Sequence, residues 1–228
     1  MNHQLLPNKR VLLKIGGYGI WVLHNWFNYS VSCILAIISM VGGSLCRIIT
    51  LAQTDIKSLI AYSSVVHISM VTFSILIWTH SGNIGALAII IGHGICSRGL
   101  FLTATLNYSR IRTRSLILRQ GALFYTPRLA LIWVLLILIN FSCPPSITLL
   151  SEVLAFYLGI RICRSVWWWL GVMIVIALIF RVVLFYSQTH GQSTTTLPAS
   201  SERVKELTLT RVHSNWWLLR PLVLHILE

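Results

Sequence analysis

Gln53-Thr54-Asp55-Ile56-Lys57-Ser58-Leu59-Ile60-Ala61-Tyr62-Ser63-Ser64-Val65-Val66-His67 is the stretch that decides how this chain is read. It opens with an acid and a base close together, Asp55 and Lys57, and then runs on through apolar residues to Trp78. From Ile56 onward that run is long enough to cross a hydrocarbon layer of about 30 Å. Lys57, Tyr62, Ser63, Ser64 and His67 therefore lie on a helix of membrane-spanning length, where they read as a polar lining inside a bundle. Ionisable groups at membrane depth are costly, so they face a partner or a water-filled path.

Composition extends this reading to the whole chain. Of 228 residues, 56% are hydrophobic and only 10% charged, and mean hydropathy is +0.78. A soluble domain carries about a quarter charged residues, so the fold class is an all-α polytopic membrane protein. The net charge of +13 would point to nucleic acid in a soluble chain. Here the basic residues lie between apolar spans, so they read as topology signals and contacts to membrane lipids. No nucleic acid partner is expected. The five cysteines (Cys33, Cys46, Cys96, Cys143, Cys163) lack paired spacing and read as small packing residues. A polar, basic Met1–Arg10 followed by an apolar run bearing Lys14 and three glycines argues against a cleavable signal peptide.

Hydropathy predicts about seven spans: Leu12–His24, Val31–Arg47, Ile56–Trp78, Ile84–Leu106, Leu129–Tyr157, Val166–Tyr186 and Leu207–Leu227. The first is short and borrows from Leu5–Val11. The last is weak, broken by Arg211, His213 and Arg220-Pro221. Residues 1–228 form one transmembrane domain, with 188–206 as a polar loop. Loop charge alternates in step with the spans. One side receives Lys9 and Arg10, then Arg47 and Lys57, then Arg110, Arg112, Arg114, Arg119 and Arg128, and finally Arg203 and Lys205. The other receives Asn25–Ser30, Thr79–Asn83 and a short loop with Arg161 and Arg164. The positive-inside rule places the basic side in the cytoplasm or matrix, with the C-terminus opposite.

Leu129–Tyr157 would measure about 43 Å as one helix, too long to lie straight. Asn140-Phe141-Ser142-Cys143-Pro144-Pro145 stands in its middle. Proline removes a donor and drives the preceding residue out of the helical region. Two half-helices joined by unwound backbone are predicted, a feature that marks ion or substrate sites in transporters. Glu152 follows the break.

Depth sharpens the pattern. His67 lies about 15 Å along its span from Lys57, and His93 about 15 Å from Asn83 on the antiparallel neighbour. Lys14 is about 15 Å from His24, with Glu152 at a comparable level. Each of the four could be a structural hydrogen-bonding group. Together, at one depth beside a broken helix, they favour a functional row along the membrane plane. Arg98 and Arg181 sit late in their spans and can snorkel. Trp167-Trp168-Trp169 reads as an interfacial belt. Gly16-Gly17-Tyr18-Gly19 follows no strand and reads as close helix packing. No nucleotide-binding glycine motif, metal-spaced cluster or nucleophile triad is found.

The ordered set of motifs resembles the subunit 4 family of mitochondrial NADH:ubiquinone oxidoreductase, respiratory complex I. It consists of Leu12-Leu13-Lys14-Ile15-Gly16-Gly17-Tyr18-Gly19, then Thr54–Ser64 with His67, Gly92-His93-Gly94-Ile95, Asn107-Tyr108 with Arg114, and Pro144-Pro145 leading to Leu149-Leu150-Ser151-Glu152. The resemblance implies an antiporter-like, proton-translocating subunit with fourteen helices in two inverted repeats. This chain then supplies the second half, beginning just before the lysine helix. Lys14 matches the central lysine of that repeat, His67 and His93 the histidines between it and the break, and Glu152 the acid of the broken helix. Lys57 is a secondary proton-transfer candidate.

The related subunits 2 and 5 usually carry lysine where Glu152 stands. Departures are Val66 for a serine, Ser151 for a glycine and Arg98 for a small residue. The first repeat's glutamate–lysine pair has no counterpart, so a truncated sequence or a subunit split over two chains is expected.

The resemblance further implies half of a proton channel, in a protein of the mitochondrial inner membrane. NADH, FMN, iron–sulfur clusters and ubiquinone would be handled elsewhere in the complex, with no cofactor, metal or redox site on this chain. Subunits 2 and 5 would be its neighbours, and a separate chain would carry the N-terminal half. Basic loops would face the matrix and the C-terminus the intermembrane space. Two alternatives stay open: an Mrp-type cation/proton antiporter subunit, and a structural membrane-arm fragment that no longer pumps.

Overall fold

The computed structural model describes residues 15–111, 113–116, 126–140, 142–143, 146–162 and 166–189. Lys14, Arg112, Arg119, Pro144, Pro145, Cys163, Arg164, most of the 188–206 loop and the span Leu207–Leu227 lie outside them. Helix α1 covers residues 15–23 and passes into a 3-10 turn, His24–Trp26. Then come α2 (Tyr29–Leu51), α3 (Ile56–Leu76), α4 (His80–Ile111), α5 (Pro127–Asn140), α6 (Ile147–Ile162) and α7 (Val166–Thr189). Among the described residues α2, α3 and α4 are each long and apolar enough to cross a membrane.

α3 is the axis of the bundle. In its most apolar stretch 61% of residues are buried, against 28% for α2, which turns its other face outward. Two helices outrun their predicted ends. α2 continues to Leu51, which puts Arg47 inside the helix rather than in a loop. Arg47 is buried, and its guanidinium Nη2 lies 3.6 Å from Met70 Sδ. It reaches inward to α3 instead of snorkelling outward. α4 runs for 32 residues, about 48 Å, so the expected loop Thr79–Asn83 shrinks to a turn ending at Thr79.

That turn is tight because Trp78 adopts φ 62°, a left-handed conformation unusual for a bulky residue. Two neighbours hold it. Trp78 Nε1 donates to Ser32 Oγ at 3.0 Å, and His24 packs edge-on at 5.8 Å. At the opposite end of the hairpin an antiparallel bridge joins Asp55 to Ser115. Ile56 N donates to Arg114 O and Leu116 N to Thr54 O. The connections before α3 and after α4 are thus on one side of the bundle, as the charge alternation requires.

Small residues let the helix backbones approach. A Cβ on Gly43 would stand 2.1 Å from Ser69 Oγ, on Gly82 2.4 Å from the Ser74 carbonyl oxygen, and on Gly92 2.9 Å from Thr148 Cγ2. In α1 only Gly17 packs this way, against Val71 and Ile90. Gly16 and Gly19 meet nothing within 4 Å, so the close-packing reading of that motif holds for one glycine alone.

The predicted break is present. α5 stops at Asn140 and α6 starts at Ile147, with Ser142 at φ 57° between them. Backbone carbonyls freed by the break need donors, since none comes from lipid. Leu138 O accepts from Cys143 N at 3.0 Å. Ile139 O accepts from Ser142 N at 3.2 Å and from Thr148 Oγ1 at 2.9 Å. The Cys96 thiol of α4 donates to Leu136 O at 3.0 Å. Asn140, Ser142 and Thr148 are all buried, so these residues at the break are enclosed by protein.

Candidate functional site

Two apolar clusters leave a polar layer between them. One takes Ile56, Leu59 and Ile60 of α3, Cys96, Leu100, Phe101 and Ala104 of α4, and Ile132, Trp133, Leu136 and Ile137 of α5. The other takes Met70, Val71 and Ile75 of α3 with Ala86 and Ile89 of α4, flanked by Ile20, Trp21 and Phe156. His67 and His93 fall between these sets on their helices, Asn140 follows the first set on α5, Glu152 precedes Phe156 on α6, and all four are buried.

Within the layer the groups touch. His67 Nδ1 is 3.8 Å from Glu152 Oε1. The His67 and His93 rings lie 4.5 Å apart between centroids at 30°. His93 Nδ1 is 2.9 Å from Asn140 Oδ1. Helices α3, α4, α5 and α6 contribute one residue each. A gap of 3.8 Å is just beyond hydrogen-bond reach and too short for an intervening water. A shift of a few tenths of an ångström makes it a charge-assisted bond, shorter and stronger than a neutral one.

Depth alone gave no order within the row. In the structure His67 is the hub, in contact with both Glu152 and His93. The imidazole planes are also tilted by only 30°. Ring N–H bonds lie in the ring plane, so passage of a proton between these histidines needs a ring rotation.

Asn140 was legible only as the start of the break. Its role as the partner of His93 was not, because an amide at a helix end reads first as a cap or turn residue. The serines turn out differently from a lining. Ser63, Ser64, Ser69 and Ser74 donate to carbonyls of their own helix, at 2.6–2.9 Å. Lys57 sits at the other end of α3, its Nζ 5.2 Å from the centre of the Tyr108 ring, while Arg114 Cζ is 5.3 Å from the same ring. That arrangement is a cation–π pair beside the Asp55–Ser115 bridge, apart from the His67 layer. Lys14 is outside the described residues. α1 nonetheless begins beside it at Ile15, and Gly17 packs on Val71, one turn beyond His67.

Arg98, though on α4, is exposed. Arg98→Ser should therefore change stability by less than about 0.5 kcal/mol. Thermal inactivation of the parent and the variant, measured side by side, checks this.

Comparison with known proteins agrees with the geometry. Residues 5–181 match the family model described as NADH:quinone oxidoreductase/Mrp antiporter, TM. NADH-ubiquinone oxidoreductase chain 4 of Lumbricus terrestris is 37% identical over 207 residues, covering 89% of this chain and 46% of that relative. Its counterpart in Anopheles arabiensis is 38% identical over 161 residues, covering 68% of this chain and 70% of the relative. The chain spans less than half the length of most of the curated relatives compared, such as those of Aedes aegypti (41%) and Artemia franciscana (47%).

In fold, it superposes on a chain of respiratory complex I from Thermus thermophilus with bound NADH. The TM-score is 0.75 at 18% identity, covering 83% of this chain and 40% of that one. With its broken helix, its enclosed polar layer and these matches, the chain belongs to the NADH:quinone oxidoreductase/Mrp antiporter transmembrane family.

Proposed function

We infer that this chain forms the second half of a proton-translocating membrane-arm subunit of respiratory complex I. The observation that carries the reading is the buried contact of His67 with both Glu152 and His93, in a layer closed above and below by apolar packing. Such a layer conducts along the membrane plane, toward neighbouring subunits, and not straight across. Lys14 holds a proton that reaches His67, and Glu152 accepts it from His67. An oxidation–reduction event elsewhere in the assembly changes a charge next door, and low dielectric makes that change felt over several ångströms. Hydride transfer from NADH and quinone reduction take place on other subunits.

The names of the relatives favour complex I over a free-standing Mrp antiporter. They support a place in the mitochondrial inner membrane, where the basic connections face the matrix and subunits 2 and 5 are neighbours. The other repeat of the family's unit, with its own mid-membrane Glu and Lys, packs beside α1 to complete it.

Two measurements test this. The chain should purify within a large NADH-oxidising membrane assembly, and a density map of that assembly should show the completing helices against α1. Purification as a free cation/proton exchanger would overturn the reading. Lys14→Ala should lower protons pumped per NADH without blocking assembly; unchanged stoichiometry would remove Lys14 from the path.

A further inference from the structure

We propose that Asn140 is a positioning residue which fixes the tautomer and ring plane of His93 and thereby ties the proton relay to the helix break. The proposal rests on the relay reading under Proposed function. Asn140 is 1% exposed and is the last residue of α5. The neighbouring carbonyls at the break are already served: Leu136 O by the Cys96 thiol, Leu138 O by Cys143 N, and Ile139 O by Ser142 N and Thr148 Oγ1. The Asn140 side chain is thus left to reach across to α4, where its Oδ1 meets His93 Nδ1 at 2.9 Å.

An amide oxygen has lone pairs and no proton, so it accepts. His93 then carries its hydrogen on Nδ1, and Nε2, also buried, is left to take and give the proton. The same bond holds the imidazole in the tilted, stacked pose over His67, from which no proton passes directly. Because Asn140 ends the half-helix, any displacement of the break changes this bond first. His93 can turn its Nε2 edge toward His67 only as that bond gives way.

Among the described residues, α3 presents His67 to His93, and Glu152 of α6 lies against His67. α5 offers only Arg128, exposed at its far end, and the described residues of α1 near α4 are apolar. On α4 itself Arg98 is exposed, and Tyr108 lies beyond it toward the basic end. The pH profile of pumping therefore reports on a compact set of groups.

The test uses the assembled complex in proteoliposomes, reading NADH oxidation and proton uptake together from pH 6 to 8.5. Asn140→Leu keeps the volume and removes the acceptor. With the tautomer and ring plane no longer set by the break, transfer is no longer tied to its displacement, so net proton uptake should fall about tenfold, the low end of the cost of removing a partner that orients a histidine, while NADH oxidation persists. Asn140→Asp keeps the acceptor and adds charge, so it should retain a large part of the uptake with its pH profile displaced. Parent-level pumping with unmoved profiles in both variants overturns the proposal, and so does an equal loss in both with an unmoved profile, as a merely structural role would give. If the leucine variant does not assemble, the aspartate variant decides alone: a displaced profile supports the assignment and an unmoved one overturns it. Glu152→Gln run alongside separates the two levels. Full pumping there defeats the relay itself, whereas lost pumping with normal Asn140 variants defeats only the role of Asn140.

Discussion

Glu152→Gln should stop proton movement through this subunit while leaving it assembled. The substitution is nearly isosteric, so the packing around a side chain only 7% exposed is kept. The group lost is the one that can accept a proton from His67, whose Nδ1 is 3.8 Å away. Positioned acid–base groups contribute about 10²–10⁴-fold to proton transfer, so flux by this route should drop at least about 10²-fold. NADH oxidation with an uncoupler present should stay near the parent rate. A normal ratio of protons to electrons in this variant would show that Glu152 is a structural acid and nothing more.

The second large effect is on assembly. Gly82→Val should remove most of the folded subunit from the membrane, because its Cβ would lie 2.4 Å from the Ser74 carbonyl oxygen, 2.8 Å from Thr79 Oγ1 and 3.3 Å from Leu158. The nearest atom belongs to backbone inside α3 and cannot swing aside. Overpacking typically costs about 1–3 kcal/mol, and a contact this short against backbone belongs at or above the upper end. Gly85→Ala is the internal control: its Cβ would meet Leu154 at 3.5 Å, an ordinary contact. The amount of each variant in the native-gel complex checks the contrast, and equal amounts would show that the α3–α4 approach has slack.

Hydropathy located α2, α3 and α4 and placed the break between α5 and α6, because prolines and excess length are local signals. It misjudged where α2 and α4 end, since apolarity fades at Arg47 and begins late after His80 while the hydrogen-bonded helix runs on through both. Depth reckoning at a fixed rise per residue was enough to bring His67, His93 and Glu152 to one level. It could not supply rotation about the helix axes. That is why His67 as the hub, Asn140 as a partner and the inward reach of Arg47 were not legible. Serine beside histidine in sequence looked like a lining, yet a serine hydroxyl finds its own helix's carbonyl closer than any neighbour.

The α3–α4 hairpin is closed at both ends, by the left-handed Trp78 turn and by the Asp55–Ser115 bridge. Its two histidines are therefore held at one spacing, while the half-helices α5 and α6 carry the groups set against them, Asn140 before the break and Glu152 after it. A single coordinate thus governs both contacts, and thermodynamic reciprocity applies to it: whatever the break's displacement does to proton occupancy, proton occupancy does to the break with equal free energy. Loading a proton here is then also a mechanical act, a push on the half-helix α6 that carries Glu152.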